Sequence, residues 1–234
     1  MARKKKTRPR HYPTIPPFHD PENYVWIDTK EGGHWRRKRG TIKPATLNSS
    51  FRKNADTTQI TNAAARQMVL RLEPFLKGLE AGRITVRIAG RLKKALVKNN
   101  RIDFSFFYGF DVQKDYTLKD LAPRVYSTST GKNEVSIEIA IHKKTIQTLQ
   151  RGATGYYFEA IWLYGDPTED NGLRVDSISS PLFPVGDPTE TTCKLAVPLP
   201  DKRPYLIFLK ASCLEGNALA SHPSFYGMQV ISAG

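Results

Sequence analysis

Val135-Ser136-Ile137-Glu138-Ile139-Ala140-Ile141-His142 is the stretch that decides the fold class. Branched apolar residues at every second position place one apolar row on one face of a pleated strand, the pattern of a strand half-buried against a core. The same period is read in Ile102, Phe104, Phe106, Tyr108, Phe110 and Val112, alternating with Asp103, Ser105, Phe107, Gly109 and Asp111, so a strand is expected over residues 102–112. Further strands are expected at Tyr156–Tyr164, Leu173–Val185, Thr191–Leu199, Tyr205–Cys213 and Phe225–Ser232, punctuated by Gly, Pro, Asp and Asn. With no βαβ alternation, the pattern predicts an α+β protein whose residues 102–234 form a β-sandwich-like antiparallel body.

Upstream of Ile102 the apolar spacing becomes helical. From about Thr57 to Lys98, with Asp56 or Thr57 as the N-cap, Ile60, Ala64, Met68, Leu72 and Leu76 recur every four residues. Pro74 lacks the N–H that a helix interior needs, and Gly78 and Gly82 mark a break. A second, amphipathic helix is expected from Arg83 to Lys98, with Ile84, Ile88, Leu92, Ala95 and Leu96 on its apolar side. Earlier still, Tyr24–Thr29 and His34–Arg39 flank Gly32-Gly33 as a hairpin. Residues 23–101 thus read as a basic hairpin plus a two-helix unit. Residues 1–22, basic and then rich in proline, read as a disordered arm too poor in apolar surface to offset the entropy of ordering it.

Charge is divided unevenly along the chain. Through Arg101 there are 24 Lys and Arg against 7 Asp and Glu, and the remainder carries 12 against 15, which together make the net charge of +14. A polycationic half attracts polyanions and says nothing about catalysis. Three patches carry it: Arg3, Lys4, Lys5, Lys6, Arg8 and Arg10 in the arm; Arg36, Arg37, Lys38 and Arg39 beside His34, Trp35 and Trp26 in the hairpin; and Arg83, Arg87, Arg91, Lys94 and Lys98 along one side of the second helix. Cations neutralise phosphates and an aromatic face can stack on an unpaired base. The bland alternatives are a solubilising tail, hairpin-core tryptophans and a solvated helix face. Six to ten phosphate contacts would make affinity fall by roughly 10³ to 10⁵ between 50 and 200 mM salt. No recognition-helix pattern is present, so sequence specificity is not expected.

Catalytic signals are scarce. The chain has no G-x-S-x-G, H-E-x-x-H, Walker or G-x-G-x-x-G motif, and His11, His19, His34, His142 and His222 are scattered. Glu138 and Glu159 are an acid/base pair only if their strands bring them together. Gly165-Asp166-Pro167-Thr168-Glu169 recurs as Gly186-Asp187-Pro188-Thr189-Glu190 and reads as a strand-ending turn, not a calcium loop. Neither a metal nor another cofactor is called for. Cys193 and Cys213 lack zinc spacing; two buried reduced thiols are expected, the alternative being a pairing of the two if residues 195–197 and 207–209 form a hairpin that sets Cys193 opposite Cys213. With no apolar run approaching a membrane span and no apolar segment after the basic start, a cytoplasmic protein is expected.

Gly32-Gly33 after an aromatic strand, Leu47–Ala55 before a long helix, Leu72-Glu73-Pro74-Phe75-Leu76, Arg91-Leu92 and Phe107-Tyr108-Gly109-Phe110-Asp111 resemble a family of uncharacterised Bacteroidota proteins with a long helix and a β-rich C-terminal half. The resemblance spans about residues 24–112 and implies no activity, so it assigns no functional residue. The expected function is non-enzymatic binding of nucleic acid or another polyanion. The alternative is a structural subunit of a phage or mobile-element particle that self-assembles through the β domain and arm. A ligand module using Tyr156, Tyr157, Trp162 and Tyr164 is a third reading.

Overall fold

Burial along the strands sorts them into a central pair and an outer set. The computed structural model describes residues 24–27, 33–37, 48–99, 102–123, 126–142, 145–146, 152–169, 172–186, 190–199 and 203–234. The chain separates into two units, Met1–Arg52 and Lys53–Gly234. In the first, β1 (Tyr24–Ile27) and β2 (His34–Arg37) pair antiparallel, with Trp26 opposite Trp35. The two indoles meet edge to face at 5.4 Å. The Trp26 ring occupies the space a Cβ at position 33 would need, which explains Gly33.

Helix α1 runs from Ser49 to Leu72. It begins about two turns earlier than the expected cap at Asp56 or Thr57, because Asn48 Oδ1 accepts from Phe51 N–H at 3.1 Å. Thr57 and Thr58 donate their hydroxyls to the carbonyls of Lys53 and Asn54, a bond made inside a helix and not at its cap. The buried stripe is Thr61, Ala64, Ala65, Met68 and Leu72, whereas Ile60 is 47% exposed. A spacing of four advances 400°, so the row from Ile60 to Leu72 drifts by about 120° and leaves the core face. A 3-10 turn at Glu73–Phe75 carries Pro74, Gly78 follows with φ +85°, and α2 then runs from Ile84 to Asn99, as expected.

Residues 102–112 are not the expected strand. Phe104–Phe107 form a 3-10 turn, with the Asp103 carboxylate accepting from Ser105 N–H at 2.9 Å. Phe104, Phe107 and Phe110 are buried and Tyr108 is exposed, so the operative apolar period is three. Only Asp111 makes a β-bridge, to Gln229. A short helix α3 (Leu118–Leu121) is closed by a capping box between Thr117 and Asp120.

The large antiparallel sheet is built on β5 (Gly155–Tyr164) and β9 (Tyr205–Glu215). Beyond β5 lie β6 (Arg174–Ser179) and β7 (Phe183–Pro184), and beyond β9 lie β10 (Ala218–Leu219) and β11 (Tyr226–Ala233). The small sheet is β3 (Tyr126–Thr130), β4 (Glu134–Ile141) and β8 (Thr191–Pro198). Val135, Ile137, Ile139 and Ile141 meet Phe158, Ala160, Ile207 and Leu209 on one face of the large sheet. Ile161, Leu163, Leu206 and Phe208 face the opposite way and pack with Met68, Leu72, Ile88 and Leu92 of the helices. A sandwich with helices on its outer face is the result, and the chain is α+β with a β-rich C-terminal half.

Lys210 fastens the helical layer to the sheet. It is buried at 5% exposure, and its ammonium donates to the carbonyls of Phe75 at 2.8 Å and Lys77 at 3.3 Å. Desolvation lowers its pKa, partly offset by the charge of Glu159.

The proposed 195–197/207–209 hairpin does not form: β8 pairs with β4, placing Cys193 opposite Ile139, while Cys213 lies opposite Tyr156 in the other sheet. Apolar alternation on both runs is satisfied equally by facing sheets, which spacing alone does not separate from neighbouring strands. Both thiols are free, and burial pushes the Cys213 thiol up to about 12. At pH 8 about one molecule in 10⁴ carries that thiolate. Native protein should therefore expose at most Cys193 to a disulfide reagent, and denatured protein both. Rapid native labelling of Cys213, located by peptide mapping, would contradict the packing.

Candidate nucleic-acid interface

The basic side of α2 meets an irregular segment that is itself pinned to β11. Gly109 N–H donates to Val230 O and Val112 N–H to Met228 O, each at 2.9 Å, so residues 109–112 run along the β11 edge. The carbonyls of Asp111 and Val112 turn toward α2. Arg87 donates through its terminal guanidinium nitrogens to Val112 O at 2.9 Å and to Asp111 O, and Arg91 donates to Phe106 O at 2.8 Å. Arg87 also lies 4.8 Å from the centre of the Phe110 ring. These two arginines are thus partly buried docking groups as well as charges.

Between helix and segment lies a groove of about 430 Å³, lined by Arg87, Arg91, Lys94 and Lys114 against one carboxylate, Asp111. It is open at Gly90 and Gly109, where a Cβ would meet no atom within 4 Å. Gly109 takes φ +72°, which a side chain would strain. Four cations around an open trough can hold two or more phosphates, with Arg87 and Arg91 fixed in advance by carbonyls and the two exposed lysines free to follow them. Asp111 falls on the strand expected over residues 102–112 and Lys114 just past it, so the sequence pattern gives neither as a site residue. The signals available were Asp103 ahead of Phe104-x-x-Phe107-x-x-Phe110 and the glycine at 109.

Burial raises the Asp111 pKa, opposed by a hydrogen bond from Gln229 Nε2 at 3.0 Å and by the charges of Lys119 and Arg87. A raised folded pKa favours the protonated form, so its contribution to stability is fully present below about pH 4 and is lost as pH rises through the folded value. Asp111→Asn keeps an oxygen for Gln229 and removes the charge. We expect it to flatten the stability profile between pH 4 and 7 and to tighten polyanion binding roughly two- to tenfold. Melts at the two pH values check the first effect, and a larger loss of stability at pH 7 than at pH 4 would refute it.

The other expected site residues are distributed as follows. Arg83 is exposed in the turn just ahead of α2, with φ +58°, Lys94 is exposed on α2, and Lys98 lies on its last turn by backbone position. Arg36 is exposed on β2, Trp35 is half-buried against Trp26, and Arg37 is placed on β2 by its backbone. Arg3, Lys4, Lys5, Lys6, Arg8, Arg10, Lys38 and Arg39 lie outside the described residues. A larger cavity of about 980 Å³ is rimmed by Asp56, Asp166 and Glu169, a charge that repels a polyanion.

Glu138 and Glu159 do not face each other. Glu138 points away from the sandwich core and pairs with Lys194 at 2.7 Å, whereas Glu159 lies on the helix-facing side of β5. Asp166 accepts from Thr168 N–H at 2.8 Å in the turn that ends β5, as its sequence predicted; of its repeat, residues 187–189 lie outside the described residues. Tyr156 is buried in the sandwich core, the half-buried Trp162 packs against that core six residues further along β5, and the Tyr164 hydroxyl donates to Asp176, so the β5 aromatics form no common platform.

Among the described residues no helix is long and apolar enough to cross a membrane. No protein-family model and no curated protein matches the chain. Among solved structures it is similar to the solution structure of CsgH from R. palustris, at 6% identity over 45% of this chain and 88% of that chain. The TM-score of 0.24 is too low to carry an argument.

Proposed function

We propose that this chain is a non-enzymatic, cytoplasmic protein that contacts nucleic acid, or another polyanion, through its basic N-terminal half and mostly without sequence specificity. The observation that supports the reading most directly is the groove beside α2, where Arg87, Arg91, Lys94 and Lys114 surround a single carboxylate. Its cations converge from α2 and from the segment after Gly109, and fixed charges converging on an open trough bind phosphate oxygens better than a scattered solvated face. The side chains there that could read a base edge, Gln113, Thr117, Arg87 and Arg91, already make hydrogen bonds within the protein, which favours contacts without sequence specificity.

The test is binding of the full chain to labelled single-stranded and duplex DNA and RNA from 50 to 200 mM salt. Steeply salt-dependent binding supports the reading, and no binding at 50 mM salt overturns it.

A second reading, subunit of an assembly, is favoured by exposed Ile178, Leu182 and Val185 around the β6–β7 edge of the large sheet. Concentration-dependent high-mass species in the absence of nucleic acid would favour it over simple binding.

A further inference from the structure

Beside the groove, one aromatic ring stands where the local core has no use for it. Phe104, Phe107 and Phe110 point inward, with their rings in edge contact at 5.9 and 5.8 Å, while Tyr108 between them is 69% exposed. Its backbone is held on both sides: Tyr108 N–H donates to Ser105 O at 3.2 Å, and Gly109 N–H to Val230 O. The ring therefore projects from a fixed turn whose next residue, Gly109, lines the groove, and whose residue 106 carbonyl anchors Arg91. The ring itself stands outside the groove lining, and its phenol is near enough to that of Tyr126 for the two to interact electrostatically.

Resting on the polyanion reading above, we propose that Tyr108 is a stacking platform for an unpaired base, so that the groove takes single-stranded nucleic acid in preference to duplex. Phosphates along the trough would be held by Lys94, Lys114 and the arginines, and a base splayed from that backbone would lie on the exposed phenol. Duplex bases are already stacked on one another and offer no free face. Charge alone would give the opposite order, because duplex DNA has the higher charge density and releases more counterions per contact. A preference for single strands therefore reports the ring and not the cations. Stacking on an aromatic side chain is sequence-tolerant, in keeping with a site that reads no base edge.

The experiment measures fluorescence anisotropy of the full chain with a labelled twelve-nucleotide oligothymidine and with a twelve-base-pair duplex, at 50 mM salt. The wild-type chain is compared with Tyr108→Ala and Tyr108→Trp. The wild type should prefer the single strand. Tyr108→Ala should weaken single-strand binding by about fivefold or more and leave duplex binding within about twofold. Tyr108→Trp should retain the preference, and its added indole emission should be quenched by the single strand and not by the duplex. If Tyr108→Ala weakens both ligands equally, or neither, while binding stays salt-dependent, the platform is wrong and the general polyanion reading stands. If the wild type binds neither ligand, both are overturned.

Discussion

Phe208→Ala should destabilise the unit comprising residues 53–234 by about 3–5 kcal/mol, a large part of the roughly 5–15 kcal/mol that holds a typical domain together. Phe208 is 1% exposed on β9, flanked in register by Ile161 of β5 and Val230 of β11. Its ring faces the helical layer, where Met68, Leu72, Ile88 and Leu92 pack. Truncation removes the ring's transfer free energy and leaves a cavity that neighbours on a paired central strand cannot collapse to fill. Thermal melts should show a fall of roughly 10 °C. Val86→Ala, at a position 68% exposed on α2, serves as the control and should stay within about 0.5 kcal/mol. A loss below about 1 kcal/mol for Phe208→Ala would mean that the helices do not cover this face of the sheet.

Combining Arg83→Glu, Lys94→Glu and Lys114→Glu should weaken duplex binding by about 10²- to 10³-fold at 0.1 M salt and lower the slope of log K against log salt by roughly 3. All three side chains are exposed, so the replacements alter the field around the trough without removing a bond that holds the fold. Arg87 and Arg91 are deliberately spared, because their guanidinium groups dock α2 on the carbonyls of Phe106, Asp111 and Val112. Losing either would leave part-buried acceptors unpaired and confuse binding with folding. Isothermal titration or anisotropy across a salt series measures the slope, and circular dichroism verifies that the triple variant is folded. An unchanged slope would remove the groove from the binding path and return the charge to the arm or the hairpin.

Much of this could be read locally. The alternation over residues 135–141 reappears as β4, with Val135, Ile137, Ile139 and Ile141 buried and Glu138 pointing outward. The break at Pro74 and Gly78 and the apolar stripe of α2 were likewise written in residue types. Residues 102–112 were ambiguous because their phenylalanines fit both a period of two and a period of three. Capping by Asp103 and the left-handed Gly109 selected the turn. The basic stripe of α2 was legible as a row of charges, but nothing in its spacing could show that Arg87 and Arg91 would spend hydrogen bonds on backbone carbonyls while Lys114 joined the same trough.

By itself, the sequence determined the α+β class, the strand character of the C-terminal half and the helical face on which cations collect. Side-chain period and charge are properties of neighbours along the chain. Only the tertiary structure decided that β8 pairs with β4 and not with β9, that β9 is covered on both faces, and that Lys210 ties the helix connection to the sheet. It alone brought residues 87–94 and 109–117 together around one groove. Which strand pairs with which, and which carbonyl meets which guanidinium, depends on contacts between residues far apart in the chain, and these form only when burial of the whole apolar set selects one arrangement.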